Sequence, residues 1–284
     1  MIIVKVPASS ANLGIGFDCL AMAINRYNTF RVEPSSEWKL SGFDCDETDN
    51  LFQKAYLRAM EEMHLTPDAC SVELQAEIPI SRGLGSSASL IVGGLMAANE
   101  LHDSSLSKKE ILKLASEMEG HPDNVSAAIF GNITLTQNEE VEMIPLHEKY
   151  HLTLWIPDFE LSTRLARAVL PNSYPRSEVV TTLSSALFSL EGLKSGKSEY
   201  LKYLMQDRIH EPYRSAMIPD FYLMKQYAQD KGENAFVISG SGSTCLSISE
   251  EIHEFCDLPH TDTRWEVVPC EIDRKGAEVC RTNI

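Results

Sequence analysis

Residues 79–89 of the chain read Pro79-Ile80-Ser81-Arg82-Gly83-Leu84-Gly85-Ser86-Ser87-Ala88-Ser89, or PISRGLGSSAS. An alternating run, VELQAEI, precedes this stretch at 72–78, and mostly apolar residues follow it as far as 101. The pattern predicts a strand, a glycine-containing turn and a buried helix. Glycines allow the backbone to approach a ligand closely, and the free amides and dipole of a helix N-terminus attract an anion. We therefore predict a phosphate site here, with Ser86 and Ser87 as helix-capping residues.

Two well-known nucleotide motifs are missing from this stretch. It lacks the lysine of a Walker A loop, GxxxxGK[ST], and it does not match the dinucleotide pattern GxGxxG. A glycine-containing helix cap that binds nothing explains GLGS equally well, because short glycine motifs have a high false-positive rate. The rest of the sequence must therefore decide what the stretch binds.

Composition limits the class of protein. The chain has 284 residues, of which 43% are hydrophobic and 23% charged, and its formal net charge is −16. Nucleic acids and anionic membranes attract basic surfaces, so we expect neither as a partner. The first ten residues resemble neither a signal peptide nor a membrane anchor. The seven cysteines are scattered without zinc-ligand spacing, which favours reduced thiols and a cytoplasmic location, and the reactivity of Cys19 stays an open question.

Both halves of the chain contain stretches with the apolar spacing of helices and stretches with the alternation of strands, so the predicted fold class is α+β. We predict strands at 2–6, 27–33, 71–78, 133–137, 151–157, 235–238, 244–248 and 264–272. We predict helices at 50–63, 86–101, 107–118, 123–130, 163–170, 177–190 and 220–230. A new series of predicted strands and helices begins with the strand HLTLWIP at 151, so we divide the chain into domains 1–150 and 151–284.

Three further stretches carry polar groups that a core does not need. The first, PASSANLGIGFD at 7–18, presents Asn12 and Asp18 from what reads as a loop of small residues, although an Asx turn also explains it. The second, EGHPDN at 119–124, combines a carboxylate, an imidazole and an amide, but its Asp123 alone reads as a helix N-cap. The third, SGSGS at 239–243, forms either an anion-binding nest or a tight hairpin.

Together the four stretches resemble the GHMP kinase superfamily of small-molecule kinases. PISRGLGSSAS fits the superfamily signature, and PASSANLGIGFD is similar to the first motif of its homoserine kinases, PA[ST]SANLGxGFD. EGHPDN, STRLARAVLP at 162–171 and HEPYR at 210–214 are also placed as in that family, so the resemblance runs from about 4 to about 248. It implies an S5-like, ATP-binding amino-terminal domain followed by a ferredoxin-like domain. It also implies transfer of a phosphoryl group from ATP to L-homoserine in threonine biosynthesis.

The resemblance also implies the site residues. ATP would lie on Pro79 to Ser89, closest to Gly83, Gly85, Ser86 and Ser87, with Asn50 near the adenine. Mg²⁺ would bind Ser87 and Glu119, which with Asp18 form the catalytic set. The residues implied to contact homoserine are Asn12, Asp18, His121, Thr163, Arg167, Arg214 and Gly240. A homodimer is a family-level expectation.

Several alternatives stay open at this point. Another GHMP kinase, of the mevalonate type, would share the phosphate loop, but its substrate has no ammonium group for Asp18. A catalytically inactive ligand-binding regulator would be expected to lack Ser87 or Glu119, and both are present. A solvated helix arginine is the plain interpretation of Arg167 taken alone. Because some relatives carry more residues between Glu119 and His121, their separation is expected to differ here, and we predict no dedicated general base.

Overall fold

The computed structural model describes residues 1–44, 49–103 and 106–281. Its strands are β1 (Ile2–Ala11), β2 (Leu20–Ser35), β3 (Lys39–Ser41), β4 (Ala69–Ala76), β5 (Ile133–Gln137), β6 (Glu140–Ile144), β7 (His151–Pro157), β8 (Ala235–Ile238), β9 (Cys245–Ser249), β10 (Trp265–Cys270) and β11 (Glu278–Arg281). Its α-helices are α1 (Leu51–Glu62), α2 (Ser86–Leu101), α3 (Lys108–Glu119), α4 (Asp123–Phe130), α5 (Thr163–Ala168), α6 (Arg176–Ser195), α7 (Glu211–Arg214) and α8 (Phe221–Asp230). Short 3₁₀ segments cover Ser198–Gln206 and Ser215–Met217.

The strands form two sheets. The larger runs β11-β1-β2-β4-β3, with β5 pairing β2 and β6 pairing β5. The smaller sheet is antiparallel throughout and runs β10-β7-β9-β8. Strands up to 144 therefore lie in one sheet and strands from 151 to 270 in the other, while β11 returns to pair with β1. The domain limits 1–150 and 151–284 stay a prediction.

Three main hydrophobic clusters form the core of the described part of the chain, and one of them packs α8 against the smaller sheet. Another lies between the larger sheet and helices α1 to α4, and α2 is buried on most of its surface, as its uninterrupted apolar run predicts. The third cluster contains Leu13 and Met22 from the larger sheet and its loop together with Leu154 and Val237 from the smaller sheet. Because side chains of both sheets pack in one cluster, the loops at 12–18 and 239–243 are brought together.

The interpretation of residues 7–11 as part of a loop was wrong. β1 continues through them to Ala11, after a register shift between Pro7 and Ala8. Small side chains suit this position because Ala11 packs in a tight cluster with three other alanines, from β2 and α4. The loop proper begins at Asn12.

Short elements also escaped prediction. β3, β6 and α7 span three to five residues, too few for a periodicity to show. β11 lies only eight residues after β10, in a segment where no strand was predicted. In contrast, Ser107 and Glu110 have the spacing of a capping box in the sequence, and the structure shows both of its hydrogen bonds. No helix in the described ranges is long and apolar enough to span a bilayer.

Candidate active site

The glycine turn before α2 differs from the prediction in one respect. Gly85, with a left-handed φ of 71°, is the N-cap, whereas Ser86 and Ser87 are the first two residues of the helix. The turn must be glycine because a Cβ here would lie 2.2 Å from the Ser9 hydroxyl oxygen in β1. The two serine side chains are therefore not used for capping.

The same turn leaves an anion-binding end on α2. The amides of Ser86, Ser87 and Ala88 have no acceptor in the preceding turn, and none of them donates to another atom in the described part of the chain. The helix dipole adds positive potential at this end. Gly83 lies against the 239–243 loop, where a Cβ would come within 2.3 Å of the Ser239 carbonyl oxygen.

One cavity of about 440 Å³ lies in front of α2 and brings most of the predicted residues together. Its lining includes, of the residues predicted for the site, Asn12, Asp18, Pro79, Ile80, Ser81, Arg82, Gly83, Gly85, Ser86, Ser87, Glu119, His121, Thr163, Arg167, Arg214 and Gly240. The four stretches singled out in the sequence therefore surround a single space, with groups from β1, α2, α3, α5 and α7 or from the loops beside them.

Four predicted residues do not line the cavity. Leu84 and Ala88 are buried in two of the hydrophobic clusters. Ser89 is buried as well, and its hydroxyl accepts a hydrogen bond from Asn28 and donates to the Ser86 carbonyl oxygen. Asn50 is the N-cap of α1 and accepts from the Gln53 amide at 3.0 Å, although its neighbours Asp49 and Leu51 do line the cavity. Ala88 and Ser89 are buried although Ser86 and Ser87 line the cavity, because the side chains of successive helical residues point in different directions.

Ser87 and Glu119 face each other across the end of α2. The Ser87 hydroxyl donates to Glu119 Oε2 at 2.6 Å. Burial raises the pKa of the Glu119 carboxyl, although the Ser87 hydrogen bond and the nearby His121 act in the opposite direction. A buried carboxylate with one hydroxyl partner is poorly neutralised, which favours binding of a cation.

His121 and Asp123 form a second pair beside Glu119, with His121 Nδ1 2.7 Å from Asp123 Oδ1. Burial lowers the pKa of His121, but the hydrogen bond and charge of Asp123, together with Glu119, outweigh burial, so the net pKa is raised. Pro122, not Asp123, is the N-cap of α4, and Asp123 is the first helical residue. Asp123 Oδ1 nevertheless accepts from the Asn124 amide at 2.7 Å.

Asp18 and Arg167 make a bidentate ion pair at the end of the cavity that also holds His121 and Asp123, close enough for these charges to influence one another. The two guanidinium nitrogens lie 2.7 and 2.8 Å from the two carboxylate oxygens. The hydrogen bonds to Asp18 raise the pKa of Arg167, against an opposing effect of burial. Arg167 is therefore not a solvated helix arginine. About a third of each side chain stays exposed, 34% for Asp18 and 38% for Arg167, so a ligand can reach both.

Arg214 lies beneath this pair and is only 1% exposed. Its Nε and Nη1 donate to the carbonyl oxygens of Ala166 and Gly240, each at 3.0 Å. Burial and the nearby Arg167 charge lower the pKa of Arg214 to about 10, so it stays protonated at neutral pH. Asn12 joins the same group, because its Nδ2 donates to the Gly240 oxygen at 2.8 Å and its Oδ1 accepts from the Asp18 amide at 3.0 Å.

Thr163 and the 239–243 loop close this side of the cavity. The hydroxyls of Thr163 and Ser241 are 3.1 Å apart, and both residues line the cavity beside Gly240. Ser241 was predicted only as part of the loop. The loop connects the antiparallel strands β8 and β9, so the hairpin interpretation is correct, and the same hairpin also lines the cavity, while binding of a ligand by it stays a prediction.

The other end of the cavity is apolar, and sequence reasoning missed most of it. Its lining consists of Phe43, Leu51, Leu74, Ala76, Ile78 and Leu90, with the buried amide Asn28 among them. An asparagine in the middle of an apolar strand is the one signal that might have revealed it. The site thus combines an apolar recess, a helix end with free amides, the side-chain oxygens of Ser87 and Glu119 and a group of opposite charges, features that suit a kinase for a small charged substrate.

Comparison with known proteins gives the same result. A family model described as the GHMP kinases N terminal domain matches residues 50–132. The homoserine kinase of Nostoc punctiforme is 39% identical to the chain over 264 residues, which cover 89% of this chain and 87% of the relative. The homoserine kinase of Clostridium botulinum strain 657 is 37% identical, with 98% of both chains covered.

Solved structures share the fold along almost the whole chain. A crystal structure of the homoserine kinase of Cytophaga hutchinsonii has a TM-score of 0.85 at 26% identity and covers 98% of this chain and 97% of its own. A crystal structure of mevalonate kinase has a TM-score of 0.71 at 16% identity, covering 96% of this chain and 99% of its own. At 16% identity, the similarity to mevalonate kinase shows only that the two proteins share a fold.

Proposed function

The chain belongs to the homoserine kinase family of the GHMP kinases, and on that premise we propose that it phosphorylates L-homoserine with ATP. The product is O-phospho-L-homoserine, and the enzyme is an ATP:L-homoserine O-phosphotransferase. The α+β, two-domain GHMP kinase fold predicted from the sequence is confirmed by the structural relatives. The residue roles that follow are proposals.

The observation that carries the proposal is the group formed by Asp18, Arg167 and Arg214. An α-amino acid brings one ammonium and one carboxylate, and this end of the cavity offers one carboxylate and two guanidinium groups. We assign the substrate carboxylate to Arg167 and Arg214 and the ammonium to Asp18, because guanidinium groups bind planar carboxylates well. The side-chain hydroxyl of the substrate then points towards α2. Mevalonate has a carboxylate but no ammonium group, so it would offer Asp18 no cationic group to bind.

ATP is assigned to the rest of the cavity. The base occupies the apolar recess around Leu51, Leu74 and Leu90, and the phosphates lie on the turn and first helical turn from Gly83 to Ser87. The free amides there neutralise part of the phosphate charge without a lysine. This matters because the net charge of the chain, −16, otherwise opposes binding of an anion.

Ser87 and Glu119 are the residues that fit Mg²⁺. Both supply hard oxygen atoms, and in phosphoryl-transfer enzymes one or two such ligands commonly suffice beside water and phosphate oxygens. The raised pKa of Glu119 supports this role, because a cation would offset the burial that raises it. When bound, Mg²⁺ supplies charge neutralisation on the phosphate oxygens. The described residues contain no cluster of three or more His, Cys, Asp or Glu side chains positioned as a metal site.

The contribution of the protein to the chemical step is mainly positioning. The substrate hydroxyl oxygen forms a bond to the γ-phosphorus while the bond from that phosphorus to the oxygen of the leaving ADP breaks, and the hydroxyl proton passes late to solvent water. Arg167, Arg214 and Asp18 hold the amino acid in line, and orientation of this kind accounts for much of such a barrier. Asp123 Oδ1 is held by hydrogen bonds from His121 and the Asn124 amide, and the absence of a dedicated general base stays a prediction.

The test is the release of ADP in the presence of Mg-ATP with L-homoserine, L-serine, L-threonine and mevalonate at equal concentrations. Turnover mainly with homoserine is the expected result. Turnover with mevalonate would keep the phosphate site and overturn the assignment of Asp18, Arg167 and Arg214. No turnover with any of the four, despite ATP binding, would favour an inactive ligand-binding protein.

A homodimer and a cytoplasmic location stay predictions. In support of association, α6 exposes apolar side chains at helical spacing, with Val180 57%, Leu183 61% and Leu187 65% exposed. Sedimentation velocity at several protein concentrations measures the oligomeric state. A monomer at every concentration would contradict the prediction of a dimer.

A further inference from the structure

His210 is a buried residue whose role the proposed reaction does not explain. Its side chain is 0% exposed, and Nε2 lies 2.6 Å from the Gly14 carbonyl oxygen. A carbonyl oxygen only accepts, so the proton of the imidazole lies on Nε2 and is donated to Gly14. Burial lowers the pKa of His210, and a neutral ring with this tautomer follows.

The backbone around His210 is fixed by Asp207. The buried Asp207 carboxylate accepts hydrogen bonds from the amides of Ile209, His210 and Glu211, at 2.7 to 3.0 Å. Three amide donors to one carboxylate leave the start of α7 little freedom to move. The His210 ring is therefore presented from a rigid support.

The loop that His210 contacts needs such support. Four residues of this loop have a positive φ: Asn12, Leu13, Gly14 and Asp18. Residues other than glycine adopt this backbone conformation only at a cost in free energy. Gly14 lies so close to the 198–206 segment that a Cβ would be 2.1 Å from the Leu204 carbonyl oxygen. The loop therefore keeps its shape because its surroundings enforce it.

Phe17 connects this support to the charged end of the cavity. One contact of its ring is with His210, at a centroid distance of 5.4 Å and an interplanar angle of 29°. The guanidinium carbons of Arg167 and Arg214 lie 5.4 and 5.1 Å from the same ring centroid. Asp18, which follows Phe17 in the chain, binds Arg167 directly.

We propose that His210 is a positioning residue that holds the 12–18 loop through Gly14 and Phe17, and so sets Asp18 and the two arginines for the amino-acid substrate. The proposal rests on the proposed function. It predicts an effect on one substrate only, because the ATP end of the cavity, at α2 and its apolar recess, makes no contact with His210 in the described part of the structure.

The test compares His210→Phe with His210→Gln. Phenylalanine keeps the ring against Phe17 but leaves the Gly14 oxygen without its donor, whereas glutamine supplies an N–H at a similar distance. For His210→Phe we expect KM for homoserine to rise about tenfold, as the loss of one buried hydrogen bond allows, while KM for ATP stays within about twofold. His210→Gln should recover most of the loss.

A second measurement keeps the proposal testable apart from the proposed function. Hydrogen exchange of the 12–18 amides should be faster in His210→Phe than in the wild type, whichever substrate the enzyme uses. Phe17→Leu, at a half-buried position that is less sensitive to folding, should also raise KM for homoserine selectively. Equal increases in both KM values, unchanged exchange of the loop, or no recovery with glutamine would each overturn the proposal. Absence of homoserine turnover in the wild type would instead refute the proposed function.

Discussion

Replacement of Asp18 by asparagine tests the assignment of the substrate ammonium most directly. The substitution keeps the size of the side chain and removes its charge. A hydrogen bond to a charged group contributes about 1.5 to 3 kcal/mol, which corresponds to a factor of roughly 10 to 150 in binding. Loss of the ammonium contact should therefore lower kcat/KM for homoserine by about that factor.

A second effect of Asp18→Asn acts in the opposite direction. In the structure the Asp18 carboxylate holds Arg167 in a bidentate pair, so the substrate carboxylate must compete for that guanidinium. Since both side chains are about one-third exposed, solvent screening limits the pair to about 1 kcal/mol or less. Release of Arg167 from this pair should strengthen binding of the substrate carboxylate by at most about fivefold, which offsets part of the loss. The net expectation is a decrease in kcat/KM of between about twofold and 150-fold, mainly through KM for homoserine.

The assay measures initial rates of ADP release while homoserine and ATP are varied separately. Asp257→Asn is the matched control, because Asp257 is exposed and lies outside the cavity lining. A value of kcat/KM for homoserine within twofold of the wild type would refute the assignment of Asp18. An equal increase in KM for ATP would show that the substitution had disturbed the whole cavity.

Three further predictions address the rest of the site. Glu119→Gln should lower kcat by roughly a hundredfold and raise the Mg²⁺ concentration needed for half-maximal rate; an unchanged Mg²⁺ dependence would contradict the ligand role. Asp123→Asn should keep most of its kcat, and a thousandfold loss would refute the absence of a general base. The same variant should lower the pKa of His121 in an NMR titration. A raised histidine pKa stabilises the fold fully below its ordinary value of 6.5 and loses that effect as pH rises through the raised value, so the stability cost of the variant should shrink over the same rise in pH. Gly85→Ala, at a φ of 71° with a Cβ contact of 2.2 Å, should destabilise the protein by about 2 to 5 kcal/mol in urea unfolding. Gly120→Ala, at a φ of 87° with nothing within 4 Å of its Cβ, should cost only about 1 to 2 kcal/mol. Equal costs would contradict the steric argument.

Local patterns in the sequence predicted local structure well. The periodicity of 50–63 and the capping box at Ser107 gave helices close to their observed limits, because helix formation depends on residues three and four positions apart. The motifs also predicted which stretches form the site, and the comparisons confirmed the family that they resemble. Prediction failed where spacing gives no signal, as in the three-residue strand β3 and the unexpected return of β11.

The sequence by itself therefore determined most of the longer elements, the family and the kinds of side chain available for chemistry. Tertiary structure alone decided which of them meet: Asp18 binds Arg167 from 149 positions away, and Asn12 binds the Gly240 carbonyl oxygen from 228 positions away. It also decided that Ser89 and Asn50 do not line the cavity while Leu74 and Leu90 do. The physical reason is that such contacts, and the burial that shifts the pKa values of Glu119 and Arg214, arise from the packing of two sheets through a shared core, which no local periodicity encodes.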